Sequence, residues 1–275
     1  MKTVIVISIV LAFSATLLLG IMAKSQDNPT NIPTSDFVSA SLTDQLQRSG
    51  IRMEYRMEHS DLGQSPLRTY IRSNRIQYHR LGSEQIAVWS VFDRQDKIGR
   101  SLTYSTDKNI YLGSVDNRKD DNLNRASLPD PILYNLRGGD LLEMIGSGKV
   151  HGTPENIDGH DCWRIDIEDT QRNSTYTVWV DSTIAFTPRK IVSNSPNQQC
   201  TTAVFRDYKE LKGGVWYPMN MRWEVVGYTK TTAKATISVD VVTIDTIDPL
   251  TYVSPEFPSG TKVADLVRGA EYTVP

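Results

Sequence analysis

The feature that most constrains this chain is a period-two alternation of apolar and polar residues that recurs along most of its length. Ile51, Met53, Tyr55 and Met57 alternate with Arg52, Glu54, Arg56 and Glu58. Successive strand side chains point to opposite faces, so this pattern predicts a strand with one buried and one wet face. The same reading gives strands at Arg68–Arg72, Arg75–Leu81, Gln85–Asp93, Arg100–Ser105 and Ile110–Leu112. In the second half it gives strands around Trp163, Ile165 and Ile167, then at Thr175–Val180, Arg189–Ser193, Thr201–Tyr208, Val215–Val226 and Lys234–Ile244. Connections such as Gly213-Gly214 and Gly227 are short, which makes neighbouring strands antiparallel partners. The expectation is a mainly β chain: one large curved antiparallel sheet of about 11 or 12 strands, an incomplete β-barrel.

Helical period appears in two places only. Phe37, Val38, Leu42 and Leu46 form a stripe behind a cap at Ser35 or Asp36, and Gly50 follows. Pro131–Ile145 carries Ile132, Leu133, Leu136, Leu141, Leu142 and Ile145, with a weak point at Gly138-Gly139. Between sheet and second helix, residues 114–128 are charged and polar and read as a loop. Two short helices cannot cover the apolar face of so large a sheet. Such a face must curl on itself, dimerise or hold something greasy. Met53, Tyr55, Met57, Met219, Met221 and Trp223 are the candidate lining of that face, and Leu133, Leu136, Leu141 and Leu142 the candidate lid. Four of the five methionines beyond residue 25 fall on such faces. Unbranched thioethers adapt to a flexible acyl chain, although they fill gaps in an ordinary core equally well.

Residues 1–25 stand apart. Lys2 precedes an almost unbroken apolar run from Val4 to Ala23, and Ala23-Lys24-Ser25 places small residues where a signal peptidase reads. This predicts a signal peptide with Gln26 as the mature N-terminus; the alternative is an uncleaved inner-membrane anchor, since about 20 apolar residues also span a bilayer. Either way residues 26–275 form a single extracytoplasmic, periplasmic domain. The chain has 30 Lys plus Arg against 32 Asp plus Glu. Without residues 1–25, which contribute Lys2 and Lys24 only, the balance is 28 against 32, or −4. That leaves no basic excess for phosphate neutralisation, so no nucleic-acid partner is expected.

Catalytic signatures are missing from the sequence. There is no G-x-S-x-G elbow, no phosphate-binding loop and no dinucleotide fingerprint. His151, Asp158, His160, Asp161 and Cys162 cluster, but no metal-ligand spacing is met, and strand alternation points His160 and Asp161 apart. No enzyme, metal or cofactor is expected. In a simple meander two strands separate Cys162 from Cys200, about 14 Å against the 5.5 Å of a disulfide, so the two should stay unpaired.

Two stretches carry a resemblance. Residues 151–165 read HGTPENIDGHDCWRI, with the pattern G-x-x-E-x-I-D-G-x-x-C-aromatic, and the tail reads Phe257-Pro258-Ser259-Gly260-Thr261-Lys262-Val263 with Gly269 and Tyr272. With Gly213-Gly214-Val215-Trp216-Tyr217-Pro218, these resemble the LolA/LolB-like lipoprotein-carrier superfamily, in its outer-membrane lipoprotein-sorting-protein-like branch. The resemblance implies a half-barrel closed by a helical lid, whose concave face holds lipid or lipoprotein acyl chains passed between membrane-associated donor and acceptor proteins. It equally admits an envelope-stress or assembly module binding a protein partner on the same sheet. No motif fixes the ligand contacts, and the absence of a lipidation cysteine departs from the membrane-anchored type.

Overall fold

A computed structural model describes residues 32–48, 50–60, 63–64, 66–81, 88–117, 130–134, 141–171, 173–195, 198–226, 232–245 and 256–275. The apolar run at Val4–Ala23, Leu136 and the Gly138-Gly139 pair lie outside these residues. Among the described residues no helix is long and apolar enough to cross a membrane.

The chain from Thr34 to Pro275 forms one unit, distinct from residues 1–33. It begins with helix α1, Ser35–Arg48. The cap is neither Ser35 nor Asp36 but Thr34, whose Oγ1 accepts the Phe37 amide at 3.1 Å. That is the bond an N-cap side chain makes to the third helical residue. The next strands are β1 (Gly50–His59), β2 (Gly63–Gln64), β3 (Arg68–Arg72), β4 (Ile76–Leu81), β5 (Val88–Asp93), β6 (Ile98–Ser105) and β7 (Ile110–Asp116). β7 runs through Ser114, Val115 and Asp116, which the polar composition had assigned to a loop.

Of the helix expected over Pro131–Ile145, the described residues show a different start: residues 131–133 form a bend, and among the described residues Leu141–Met144 is α-helical (α2), continued by a 3-10 turn at Ile145–Ser147. The cause of the bend is Asp130, whose Oδ1 accepts the amides of Ile132 (2.9 Å) and Leu133 (3.2 Å). This Asx arrangement offers the backbone an alternative to helix.

The second half supplies β8 (Lys149–Val150), β9 (Glu155–Ile157), β10 (His160–Asp169), β11 (Ser174–Asp181), β12 (Thr187–Ser195), β13 (Gln198–Leu211), β14 (Val215–Val226) and β15 (Thr232–Asp245). β16 (Lys262–Asp265) and β17 (Ala270–Thr273) close the chain. All belong to one 17-stranded sheet. β1 is its keystone: it pairs with β3 on one side and with β15 on the other. From β3 the sheet runs through β4, β5, β6 and β7 to β16 and β17, the β7–β16 pair alone being parallel. From β15 it runs back through β14, β13, β12, β11 and β10, with β8 and β9 at the far edge. Among the described residues the two ends do not pair, so the sheet is an open curved one and not a barrel. β11 and β12 stand between Cys162 and Cys200, and both cysteines are free thiols.

Register identifies the concave face. Phe205, Met221, Ile237 and Met57 are successive cross-strand partners over β13, β14, β15 and β1. All are buried, and Val38, Leu42 and Leu46 of α1 fill the same cluster together with Ile132, Leu133, Leu141 and Ile145. Helix α1 is tied down by polar contacts as well. The buried Gln45 donates from Nε2 to Ala185 O and Thr187 Oγ1, and its Oε1 accepts the Trp216 amide. Arg48 donates to Gly213 O.

The other half of the sheet inverts this pattern. The row that begins at Met53 continues as Tyr70, His79, Ser90, Ser101 and Ser114 over β3 to β7. Here the apolar side chains lie on the opposite, outer face. Trp89, Val91 and Leu102 form a second small core with Tyr78, Tyr111 and Phe257. The single apolar face expected for the whole sheet is therefore two faces on opposite sides, joined at β1–β3.

Candidate functional site

The six side chains that alternation had placed on one face come together. Met53, Tyr55, Met57 and Met221 are buried within the main cluster, and Met219 and Trp223 pack against it. Of the residues assigned to the cover, Leu133 and Leu141 are buried in that cluster and Leu142 packs on it. They lie where the segment 130–134 and the turn 141–147 press onto the concave face. Tyr134 meets Phe205 edge to face, with ring centroids 5.9 Å apart. Ser35 Oγ donates to Gly146 O at 2.9 Å, joining α1 to that turn.

Where the apolar and polar parts of the concave face meet, the structure assembles a buried polar cluster that sequence reading did not find. Arg72 on β3 and Asp130 are both 0% exposed, with Nε 3.0 Å from Oδ2. Tyr70 donates to the same Oδ2 at 3.1 Å. Next to them, the Tyr55 hydroxyl and His79 Nε2 are hydrogen-bonded at 2.5 Å with their rings stacked. Burial drives the His79 pKa down to about 4, aided by the positive charge of Arg68, so the imidazole is neutral at physiological pH. Burial raises the Tyr55 and Tyr70 phenols, and for Tyr70 the Asp130 carboxylate adds to the effect. Both remain protonated donors.

The signal for this cluster is present in the sequence but ambiguous. Arg68, Tyr70 and Arg72 alternate, yet Thr69 and Ile71 do so too. Only the pairing of Tyr70 with Met53 shows which set faces inward.

The cluster around His160 has no corresponding geometry. His151 Nε2 bonds Asp166 Oδ2 at 2.7 Å, whereas His160 Nδ1 lies 3.6 Å from Asp181. Asp181 is already engaged by Arg189 Nε at 2.8 Å and by the amide of Thr183. Among the described residues no group of three or more His, Cys, Asp or Glu side chains is placed to hold a metal ion. The Cys162 thiol is pushed up to about 12, first by burial and then by Asp181, which keeps it protonated and poorly nucleophilic.

The outer face carries a groove of about 420 Å³ lined by Lys190, Arg206, Arg222, Asp158 and Glu224 among others. Its charges are mutually satisfied. Arg206 pairs with Asp158 at 2.7 Å, Lys234 with Glu224 at 3.5 Å, and Lys190 sits over the Trp179 ring. A groove whose charges answer one another presents nothing to a ligand that water does not already supply.

Neither a family model nor a curated protein sequence matches the chain. Its likeness to known proteins is three-dimensional. A LolA superfamily protein from Nitrosomonas europaea superposes with a TM-score of 0.51 at 11% identity, over 81% of this chain and 98% of that one. A DUF1329 family protein from Desulfovibrio piger gives 0.50 at 14% identity, over 82% and 98%. An outer membrane lipoprotein-sorting protein domain from Vibrio parahaemolyticus gives 0.46 at 12%, over 78% and 94%. The chain thus has a LolA-like fold, as the motifs at residues 151–165 and 257–272 had implied.

Proposed function

We propose that this protein is a non-enzymatic extracytoplasmic carrier that shields lipid or lipoprotein acyl chains on the concave face of its sheet. The observation that carries the reading is the continuous apolar row from Phe205 through Met221 and Ile237 to Met57, covered by short segments and not by a second sheet. Each acyl methylene transferred from water to such a surface gains about 0.8 kcal/mol, so a long chain needs no covalent chemistry to be held. Methionine suits a cargo whose shape varies. The solved proteins of this fold include a LolA superfamily member, which supports the same class.

In the structure the lining is closed. Met53 and Tyr55 are 0% exposed beneath the cover. Cargo enters by displacing part of that cover, and the two parts differ in attachment. Helix α1 is fixed by polar bonds from Gln45, Ser41 and Arg48 as well as by its apolar stripe, whereas α2 and its turn, beyond the packing of Leu141 and Ile145, have as polar ties the Ser35 bond and an exposed Lys97–Glu143 pair. The turn carrying Leu141 and Leu142 is therefore the part that yields first, while Leu133 is held through Asp130 to Arg72 and Tyr70. Residues 1–25 act as the export signal that delivers the domain to the periplasm.

The test is solvent extraction of protein purified without detergent, followed by mass spectrometry of the extract. A near-stoichiometric acyl species supports the carrier. Protein free of lipid that also fails to bind a fluorescent fatty acid opposes it and favours the protein-binding alternative.

A further inference from the structure

The polar cluster at the β1–β3 border contains more hydrogen-bond donors than acceptors. Arg72 is wholly buried, and its Nη1 and Nη2 find no acceptor; its Nε approaches Asp130 without hydrogen-bond alignment. Gln77, its cross-strand partner on β4 and 6% exposed, has an unpartnered Nε2. Arg68, two pleat repeats back along β3 on the same face, has a buried Nε with no partner. Asp130 answers only part of this excess: it balances one positive charge through the Arg72 Nε contact, while the amides of Ile132 and Leu133 occupy Oδ1 and the Tyr70 hydroxyl shares Oδ2. His79 is neutral and its Nε2 is bonded to Tyr55. Among the described residues, two guanidiniums thus share one carboxylate.

Buried donors left unanswered are costly, and a native structure retains them where something else answers them. The missing partner must be negative, because the charge excess is positive. It must be rich in oxygen, because several buried N–H groups on this face are unanswered. It must also tolerate apolar neighbours: Arg68 is the cross-strand partner of Tyr55, and Tyr70 that of Met53. Paired positions put their side chains about 5 Å apart.

We propose that Arg68, Arg72 and Gln77 seat an anionic headgroup, a carboxylate or phosphate, whose acyl chain runs from this cluster along Met53 and Met57. The inference rests on the carrier reading and adds to it a class of cargo and an orientation: charged end at the β3–β4 border, tail over β1, β15 and β14.

The experiment is calorimetric titration of the delipidated full chain with dodecanoate, dodecyl phosphate, dodecanol and inorganic phosphate. Both anionic amphiphiles should bind at least about tenfold more tightly than dodecanol, as charge-assisted bonds to a buried guanidinium require. Arg72→Ala would strand Asp130 and endanger folding, so the variants are Arg72→Lys and Gln77→Leu. Lysine keeps a cation for Asp130 but lacks the guanidinium fork. Each variant should lower the preference for the anion while leaving dodecanol affinity unchanged. Dodecanol binding as tightly as the anions would overturn the inference and leave the carrier intact. Failure of all three amphiphiles to bind would overturn both. Inorganic phosphate binding as well as dodecyl phosphate, and competing with it, would make the seat one for a free anion and overturn the lipid assignment.

Discussion

Two rows of side chains on the same face of the same sheet illustrate how this molecule is divided. One passes through Phe205, Met221, Ile237 and Met57. The other passes through Tyr70, His79, Ser90, Ser101 and Ser114, with the Ser101 and Ser114 hydroxyls 2.8 Å apart. The first is a core; the second is polar, buried at Tyr70 and His79 and half-buried at the serines, and its apolar counterpart, around Trp89, Leu102 and Phe257, lies on the back of the sheet. One sheet has here exchanged its apolar and polar sides while its strands stay paired, with a bulge at Glu54/Tyr55 in the β1–β15 ladder beside the exchange. The exchange is made across β1 and β3, where Tyr and Arg, amphipathic by construction, bridge the two environments. It leaves an apolar surface and a cationic polar cluster side by side, which is the geometry an amphiphile requires.

The sharpest way to break this comparison is to put the same charge on both rows' faces. Val178 on β11 is 0% exposed and paired with Ile165 and Ile191. Val178→Asp should cost more than about 4 kcal/mol and abolish folding, since a buried carboxylate there has no partner. Thr103 on β6 belongs to the polar row's face and is exposed. Thr103→Asp should change stability by about 0.5 kcal/mol or less in urea titration. Equal effects would contradict the division.

A pH titration of stability probes the border between the halves. His79 has a folded pKa of about 4 against an ordinary 6.5, so between these values the unfolded chain binds a proton the folded one does not. Stability is then full above pH 6.5 and falls as the pH drops toward 4, by about 3 kcal/mol from this residue. His79→Gln, which keeps a partner for Tyr55, should flatten that part of the curve in chemical denaturation. A slope unchanged by the substitution would place the imidazole in water.

A smaller effect tests the outer apolar face of the polar half. A Cβ on Gly113 would come within 2.7 Å of Phe257 Cε1 and 3.0 Å of Val263 Cγ2. Gly113→Ala should therefore cost about 1–3 kcal/mol by overpacking. Thermal melting that shows no loss would mean Phe257 is not packed there. The smallest effect is expected at the outer groove, where Arg206 pairs with Asp158 at about half exposure on both sides. Arg206→Ala should shift stability by less than about 1 kcal/mol, and less again in high salt.

Much of the architecture was legible because alternation is a direct record of the pleat. Arg68–Arg72 and Val215–Val226 were bounded to the residue, and the six-residue candidate lining fell into one cluster. What alternation does not record is which face is inward. In β3 both Arg68-Tyr70-Arg72 and Thr69-Ile71 are reasonable core sets, and hydrophobicity favours the wrong one at Ile71. That is why the Arg72–Asp130 cluster stayed hidden. Strands of two to four residues, β2, β8, β9, β16 and β17, are too short to show a period, so the sheet has 17 strands and not about a dozen. The second helix does not start at Pro131 for a local reason. The apolar spacing there is helical, but the Asp130 side chain captures the amides of Ile132 and Leu133 in a bend.

The claim that acyl chains lie on the concave face is tested most directly by photo-crosslinking the delipidated protein with a diazirine-bearing fatty acid and mapping the labelled peptides by mass spectrometry. The account predicts labels concentrated in the segments containing Met53–Met57 and Met219–Trp223, competed away by unlabelled fatty acid. Labels confined to the outer groove around Lys190 and Arg222, or insensitive to competition, would contradict it.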